Sequence, residues 1–184
     1  MSAGYELPAT VIVGNQRGGS RTATAAIATA RAVQRHAGAV DTDLTVIELA
    51  DLASVLFDWG NAEVTAAKDA VVQGSLLVVA SPVYKASFTG LLKAFLDQFA
   101  RDELAALATV PLMVGASLAH SLAVEQQLRP VLVEIGASCP TRGLYIVEDG
   151  LNAVDEQLAA WLSVWGDALV GVARSRTSGH GVSR

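Results

Sequence analysis

Residues 76–99 read Leu76-Leu-Val-Val-Ala80, then Ser81-Pro-Val-Tyr-Lys-Ala-Ser-Phe88, then Thr89-Gly-Leu-Leu-Lys-Ala-Phe-Leu-Asp-Gln-Phe99. The first five residues form an unbroken apolar run. Such a run suits a strand buried on both faces of a parallel sheet better than the alternation of a half-exposed strand. Further on, Phe88, Leu91, Leu92, Phe95, Leu96 and Phe99 recur every three or four residues. That spacing predicts a helix over 88–100 with one apolar face, part of the core or of a subunit contact. A loop of Ser, Pro, Tyr and Lys joins the two. In an open α/β sheet, ligands bind outside the carboxyl ends of the strands, where such loops lie.

Four more apolar runs, at 10–14, 44–48, 110–115 and 143–147, read as strands of the same kind. Helices are expected between and after them at 20–36, 62–73, 120–135 and 152–173. Strictly alternating strands and helices predict an α/β fold of three layers, with right-handed crossovers onto a five-stranded parallel sheet. Five strands in 184 residues favour the order 2-1-3-4-5, whose switch point lies between strands 1 and 3. One domain is expected over 1–174, followed by a Ser/Gly-rich, mobile tail at 175–184.

The composition narrows the function classes. Apolar residues make up 52% and charged residues 17%, with a net charge of −5. No cluster of Lys and Arg is present, so nucleic acid is not an expected partner. No apolar run approaches the length of a membrane span, and the first residues lack the pattern of a signal peptide, so a cytoplasmic protein is expected. The single Cys139 permits no internal disulfide and has no Cys partner for a zinc site. No His–carboxylate spacing of a metalloenzyme occurs, and no metal is expected.

Two loops at the expected switch point carry the chemistry. Residues 14–22, Gly14-Asn-Gln-Arg-Gly-Gly-Ser-Arg-Thr22, join strand 1 to an Ala-rich helix. Gly19 allows backbone angles that other residues resist, Ser20 and Thr22 offer hydroxyls, and Arg17 and Arg21 offer charge. With the free N–H groups of a helix start, this set suits a phosphate monoester. The glycine spacing matches neither a dinucleotide fingerprint nor a P-loop. The plainer alternative is a Gly-rich turn with Ser20 as the helix cap. In the second loop, Pro82 stiffens the exit from strand 3, and Tyr84 offers a flat face. Backbone N–H groups from Val83 onward are expected to reach a ring nitrogen, and Lys85 to meet an anion. Here the alternative is a surface turn with a solvated Lys and a packing Tyr. Together the loops suit flavin mononucleotide (FMN), one taking the phosphate and the other the ring.

The fourth loop is open to two readings. Gly115-Ala-Ser117-Leu-Ala119 looks like a degraded nucleophile elbow, with Asp149 and His180 later in the chain. Its final glycine is replaced by Ala119, and a hydrolase leaves the 14–22 loop without a role. Gly115, Ala116 and Ser117 are better placed to touch the pyrimidine edge of a flavin, with His120 beside them. Pro130 inside a helical pattern predicts a kink, a π-type turn near 124–127, or a break into two shorter helices.

Ser81-Pro-Val-Tyr-Lys-Ala-Ser-Phe-Thr-Gly-Leu-Leu-Lys93 resembles the strand-3 motif of the NADPH-dependent FMN reductase family, in its alkanesulfonate-monooxygenase branch. Arg17, Ser20 and Arg21, and the stretch Ala119-His-Ser-Leu-Ala-Val-Glu-Gln-Gln-Leu-Arg-Pro-Val-Leu132, are similar to the same branch. Gln126 stands where that branch has a tyrosine in a π-helix, Ala116 where it has glycine, and Gln16 where many relatives have proline. The resemblance implies a flavodoxin-like fold and hydride transfer from NADPH to FMN without a catalytic acid or base. It also implies release of reduced flavin to a monooxygenase, and a homodimer or homotetramer with Phe57 and Trp59 as interface candidates. A quinone or azo reductase that keeps its FMN, and a flavodoxin-type electron carrier, are the alternatives.

Overall fold

The computed structural model describes residues 5–39 and 42–179. Five strands form one parallel sheet: β1 (Ala9–Val13), β2 (Leu44–Glu48), β3 (Leu76–Pro82), β4 (Ala108–Gly115) and β5 (Leu144–Val147). Their order is β2-β1-β3-β4-β5, the expected one, with β1 and β3 paired from Ala9↔Leu76 to Val13↔Ala80. The switch point therefore lies above the ends of β1 and β3. Six α-helices, α1 (Arg21–His36), α2 (Leu49–Leu52), α3 (Ala62–Gln73), α4 (Gly90–Leu96), α5 (Arg129–Glu134) and α6 (Val154–Gly179), complete the described chain with shorter 3₁₀ and π turns.

Successive strand residues point to opposite faces, and here both faces are covered. Val11, Val13, Leu76, Val78, Val110 and Leu112 pack beneath α1 and α6. Ile12, Leu77, Val79 and Met113 pack with Leu92, Phe95 and Leu96 of α4 on the other side. β2 departs from the expected burial, since Thr45 and Val46 are exposed. It is the edge strand, covered less well than its neighbours. Pro111 lies within the central strand β4, where a missing N–H costs a ladder bond. It falls between the Ala108–Ser138 bridge and the first β4–β5 pair, Leu112↔Leu144, so little pairing is lost.

Three helix expectations needed revision. The helix of 88–100 is shorter: Thr89 caps it and it ends at Leu96, although Phe99 remains buried. The helix of 120–135 begins as a 3₁₀ turn (Leu118–His120), and the π turn expected near 124–127 is present at Val124–Leu128, before α5. The last helix runs on to Gly179, so the expected tail is helical over 175–179. Arg176 fixes this end by donating to the carbonyls of Val72 and Ala105. Residues 180–184, and with them His180, lie outside the described residues.

Candidate active site

The β1–α1 loop is held from within and from its neighbour. The Gly14 N–H continues the sheet to the Ala80 carbonyl at 2.7 Å. A Cβ at Gly14 would lie 2.6 Å from the Leu92 Cβ, so only glycine lets α4 approach this closely. Thr89 ties the first two loops together. Its hydroxyl donates to the Gly14 carbonyl at 2.6 Å and accepts the Leu92 N–H, and its own N–H donates to Ser81 Oγ. Asn15 accepts the Arg17 N–H at 3.0 Å and donates to Thr22 Oγ1. Ser20 caps α1 by accepting the Ala23 N–H at 3.2 Å. Gly19 adopts φ +61°, and its N–H donates to both oxygens of Glu48 at the end of β2.

The second loop is a two-residue hairpin. Tyr84 and Ser87 exchange backbone hydrogen bonds, and Lys85 and Ala86 between them have φ of 52° and 64°. Two left-handed residues in a row suit Asn-Gly better than Lys-Ala, so strain is stored beside the cavity. The expected donors of this loop are taken: the Val83 N–H goes to the Val114 carbonyl and the Tyr84 N–H to the Ser87 carbonyl. The loop therefore offers side chains, not the Val83 and Tyr84 N–H groups, to a ring.

Past β4, long-range contacts set the geometry. Tyr145 of β5 crosses over Gly115 and donates to the Ser117 carbonyl at 2.6 Å. A Cβ at Gly115 would stand 2.0 Å from that hydroxyl. Burial pushes the Tyr145 phenol above its ordinary pKa. Ser117 Oγ accepts the Ala119 N–H and so caps the 3₁₀ turn. In the π turn, the Arg129 N–H reaches back five residues to the Val124 carbonyl, just before Pro130, which has no N–H to give. Arg129 pairs with Glu125 at 2.6 Å and donates to the carbonyls of Cys139 and Thr141. Glu125 also accepts the Gly143 N–H at 2.6 Å. Burial pushes the Glu125 carboxyl up, but the Arg129 and Gly143 donors outweigh it and hold it below its ordinary value. Burial pushes the Cys139 thiol up to about 11, so it is no thiolate nucleophile near neutral pH.

These loops enclose a cavity of about 580 Å³ above β1 and β3. One end is lined by residues 15–22, the other by Pro82, Val83, Tyr84, Val114, Gly115 and Ala116, with Glu148 on the β5 side. Arg21 and Thr22 are the first residues of α1, so their N–H groups have no acceptor within the helix. The cationic, donor-rich end fits a phosphate, and the end with Tyr84 and Val114 fits a flat ring. A recess of about 630 Å³ near Arg31 and Gln34 is less suited, because both side chains already donate to backbone carbonyls there.

Ten of the thirteen residues singled out from the sequence line the one cavity: Arg17, Gly19, Ser20, Arg21, Thr22, Pro82, Val83, Tyr84, Gly115 and Ala116. Lys85 is exposed at the hairpin tip, Ser117 turns to its cap, and His120 borders a separate recess of about 300 Å³ with Ala86, Leu122 and Gln126. Sequence reasoning missed Glu48, Glu148 and Tyr145. The first two sit at the carboxyl ends of β2 and β5, and the rule applied to the other strands would have found them.

Residues 8–152 match the NADPH-dependent FMN reductase family. The chain belongs to this family. An FMN reductase (NADPH) of Pseudomonas putida is 43% identical over 75 residues, which cover 41% of this chain and 38% of the relative. An NADH-dependent FMN reductase of Pseudomonas putida is 34% identical over 108 residues, covering 56% and 58%. The aligned parts thus span only 38% to 58% of these relatives. The crystal structure of an NADH:FMN oxidoreductase in its apo form superposes with a TM-score of 0.77 at 34% identity, covering 92% of this chain and 89% of that one. Among the described residues, no helix is long and apolar enough to cross a membrane, and no group of three metal-ligating side chains occurs.

Proposed function

We propose that the protein is an NAD(P)H-dependent FMN reductase that supplies reduced flavin to a two-component monooxygenase. The observation that carries this reading is the two-ended cavity at the switch point, in a chain of this family. Arg17, Arg21, Ser20 and Thr22 take the phosphate, assisted by the positive end of α1. Tyr84, Pro82 and Val83 form one wall of the ring site, and Gly115 and Ala116 line its far edge. These residues would hold FMN, which would supply the redox chemistry as the acceptor of the nicotinamide's hydride. The protein's own work is to orient the two rings and to exclude water between them.

The relatives named above differ in nicotinamide donor, one NADPH and the other NADH. Both donors therefore belong in the test. We infer a homo-oligomer in which the exposed Phe57 and Trp59, in the loop after α2, meet a second copy. The deciding experiment is oxidation of NADPH and NADH by purified protein, with FMN, with riboflavin and with neither. Turnover that requires added FMN and is weak with riboflavin supports a flavin reductase that grips its substrate by the phosphate. A yellow protein inert toward added flavin but active on quinones or azo compounds overturns the exchangeable-flavin reading. Stabilisation of the one-electron flavin in a redox titration, without nicotinamide oxidation, marks an electron carrier instead.

A further inference from the structure

The cavity's charged lining is not purely cationic. Arg17 and Arg21 share it with Glu148. Glu148 Oε2 lies 2.8 Å from Arg21 Nη1, with side chains 34% and 65% exposed, so the pair sits at the rim. On the other side of the loop, Glu48 takes the Gly19 N–H with both oxygens, at 3.1 and 3.0 Å. Two donors that an entering anion would use, a guanidinium and an N–H, are thus held by acids of the chain itself. Glu48 does not line the cavity, so its effect is on the loop's shape. Glu148 does, and it faces the anion directly.

We propose that Glu148 sets how loosely the cavity holds a phosphate monoester, and so keeps the flavin exchangeable. The inference rests on the reading of residues 14–22 as the flavin phosphate site. A phosphate that reaches Arg21 competes with the Glu148 carboxylate for the same guanidinium, and then sits beside its negative charge. A phosphate monoester carries nearly two charges near neutral pH, so the repulsion is felt twice over. Riboflavin has no phosphate and is indifferent to the competition. A neutral residue at 148 holds the phosphate monoester more tightly and slows its release. Glu148 is thus a positioning and affinity-setting residue, with no contact to the reacting atoms required of it.

The test measures the Kd of FMN and of riboflavin by quenching of flavin fluorescence, for the whole chain and for Glu148→Gln and Glu148→Asp. Glu148→Gln is expected to bind FMN roughly five- to twentyfold more tightly at low salt, with the gain shrinking at high salt. Riboflavin affinity is expected to stay within about twofold, because an uncharged ligand meets no Coulomb change at the rim. Glu148→Asp, which keeps the charge, is expected to remain near wild type. KM for FMN falls with the Kd in Glu148→Gln. Should that variant not fold, as judged by circular dichroism, Glu148→Ala provides the same comparison. An FMN preference that neutralising Glu148 leaves unchanged or lowers overturns the proposal alone, and leaves Glu148 as a mere support for Arg21. A wild-type chain that binds FMN no better than riboflavin overturns the phosphate reading itself, and the proposal with it.

Discussion

The loop after β1 and the segment after β4 both leave a parallel strand and enter a helix on the same edge of the sheet, yet they are held in different ways. In the first, the ties within the loop are short in sequence: Asn15 to Arg17, Asn15 to Thr22 and Ser20 to Ala23. It passes straight into a helix of 16 residues. In the second, the chain goes through a 3₁₀ turn and a π turn before α5, and the ties come from elsewhere. Tyr145 reaches Ser117 from β5, and Gly143 reaches Glu125 from the approach to β5. A locally capped loop keeps its shape as a unit, whereas the β4 segment depends on β5 being in place. Exposed Leu118 and Leu122 lie on that segment. The phosphate end of the cavity is accordingly the more self-supporting end, although Thr89 and Glu48 also hold it.

The sharpest way to break the contrast is to remove Arg129. Its loss leaves Glu125 with its main cationic partner gone, and Arg129→Ala is expected to cost about 3–4 kcal/mol in urea unfolding. The pH dependence follows from the lowered carboxyl. The folded pKa lies below the unfolded one, so the stabilisation is full above about 4.5 and is lost as pH falls through the folded value. The gap in Tm between wild type and Glu125→Gln should therefore narrow as the medium is made more acidic than pH 4.5. A gap that widens on acidification contradicts the assignment.

Next in size is Gly115→Ala, which drives a methyl group into the Tyr145 hydroxyl and is expected to cost about 2 kcal/mol. The same change in a Tyr145→Phe background should cost less, and a double-mutant cycle measures the difference. Equal costs in both backgrounds show that the hydroxyl is not the obstacle. Ser20→Ala tests the self-supporting end. Loss of the cap is expected to cost about 1 kcal/mol in thermal unfolding. FMN binding should weaken while riboflavin binding holds, and parallel losses for both flavins argue against a phosphate contact. The smallest effect runs the other way. Ala86→Gly relieves a residue held at φ 64° and should stabilise the chain by about 0.5–1 kcal/mol, read as a rise in Tm.

What the sequence made legible follows the same division. The central strands β1, β3 and β4 were readable because each holds an apolar run and is buried on both faces. Ser20 was readable as a cap because its partner lies three residues away. The helix expected at 62–73 is present with the same bounds. Pro130 announced trouble in the following helix, but its local signal left three outcomes open, and the π turn depends on packing. Glu48 and Glu148 were reachable by the carboxyl-end rule but their partners were not, and Tyr145 was invisible, because each acts on a residue at least 28 positions away. The short helix α2 carries no periodic signal in four residues. The helix at 88–100 was read too long because Phe99 keeps the apolar spacing after the helix has turned into irregular chain.

Gly115 and Tyr145 form a pair. The phenol occupies the space that any side chain at 115 would need. The two positions lie 30 residues apart in sequence and diagonally across β4 and β5, where Tyr145 faces Met113 and Gly115 faces Val147, and they are coupled through the Tyr145 side chain. Shortening residue 145 would open the space for a side chain at 115 but leave the Ser117 carbonyl without its donor. The two positions are therefore coupled: a methyl group at 115 costs less once the phenol at 145 is gone.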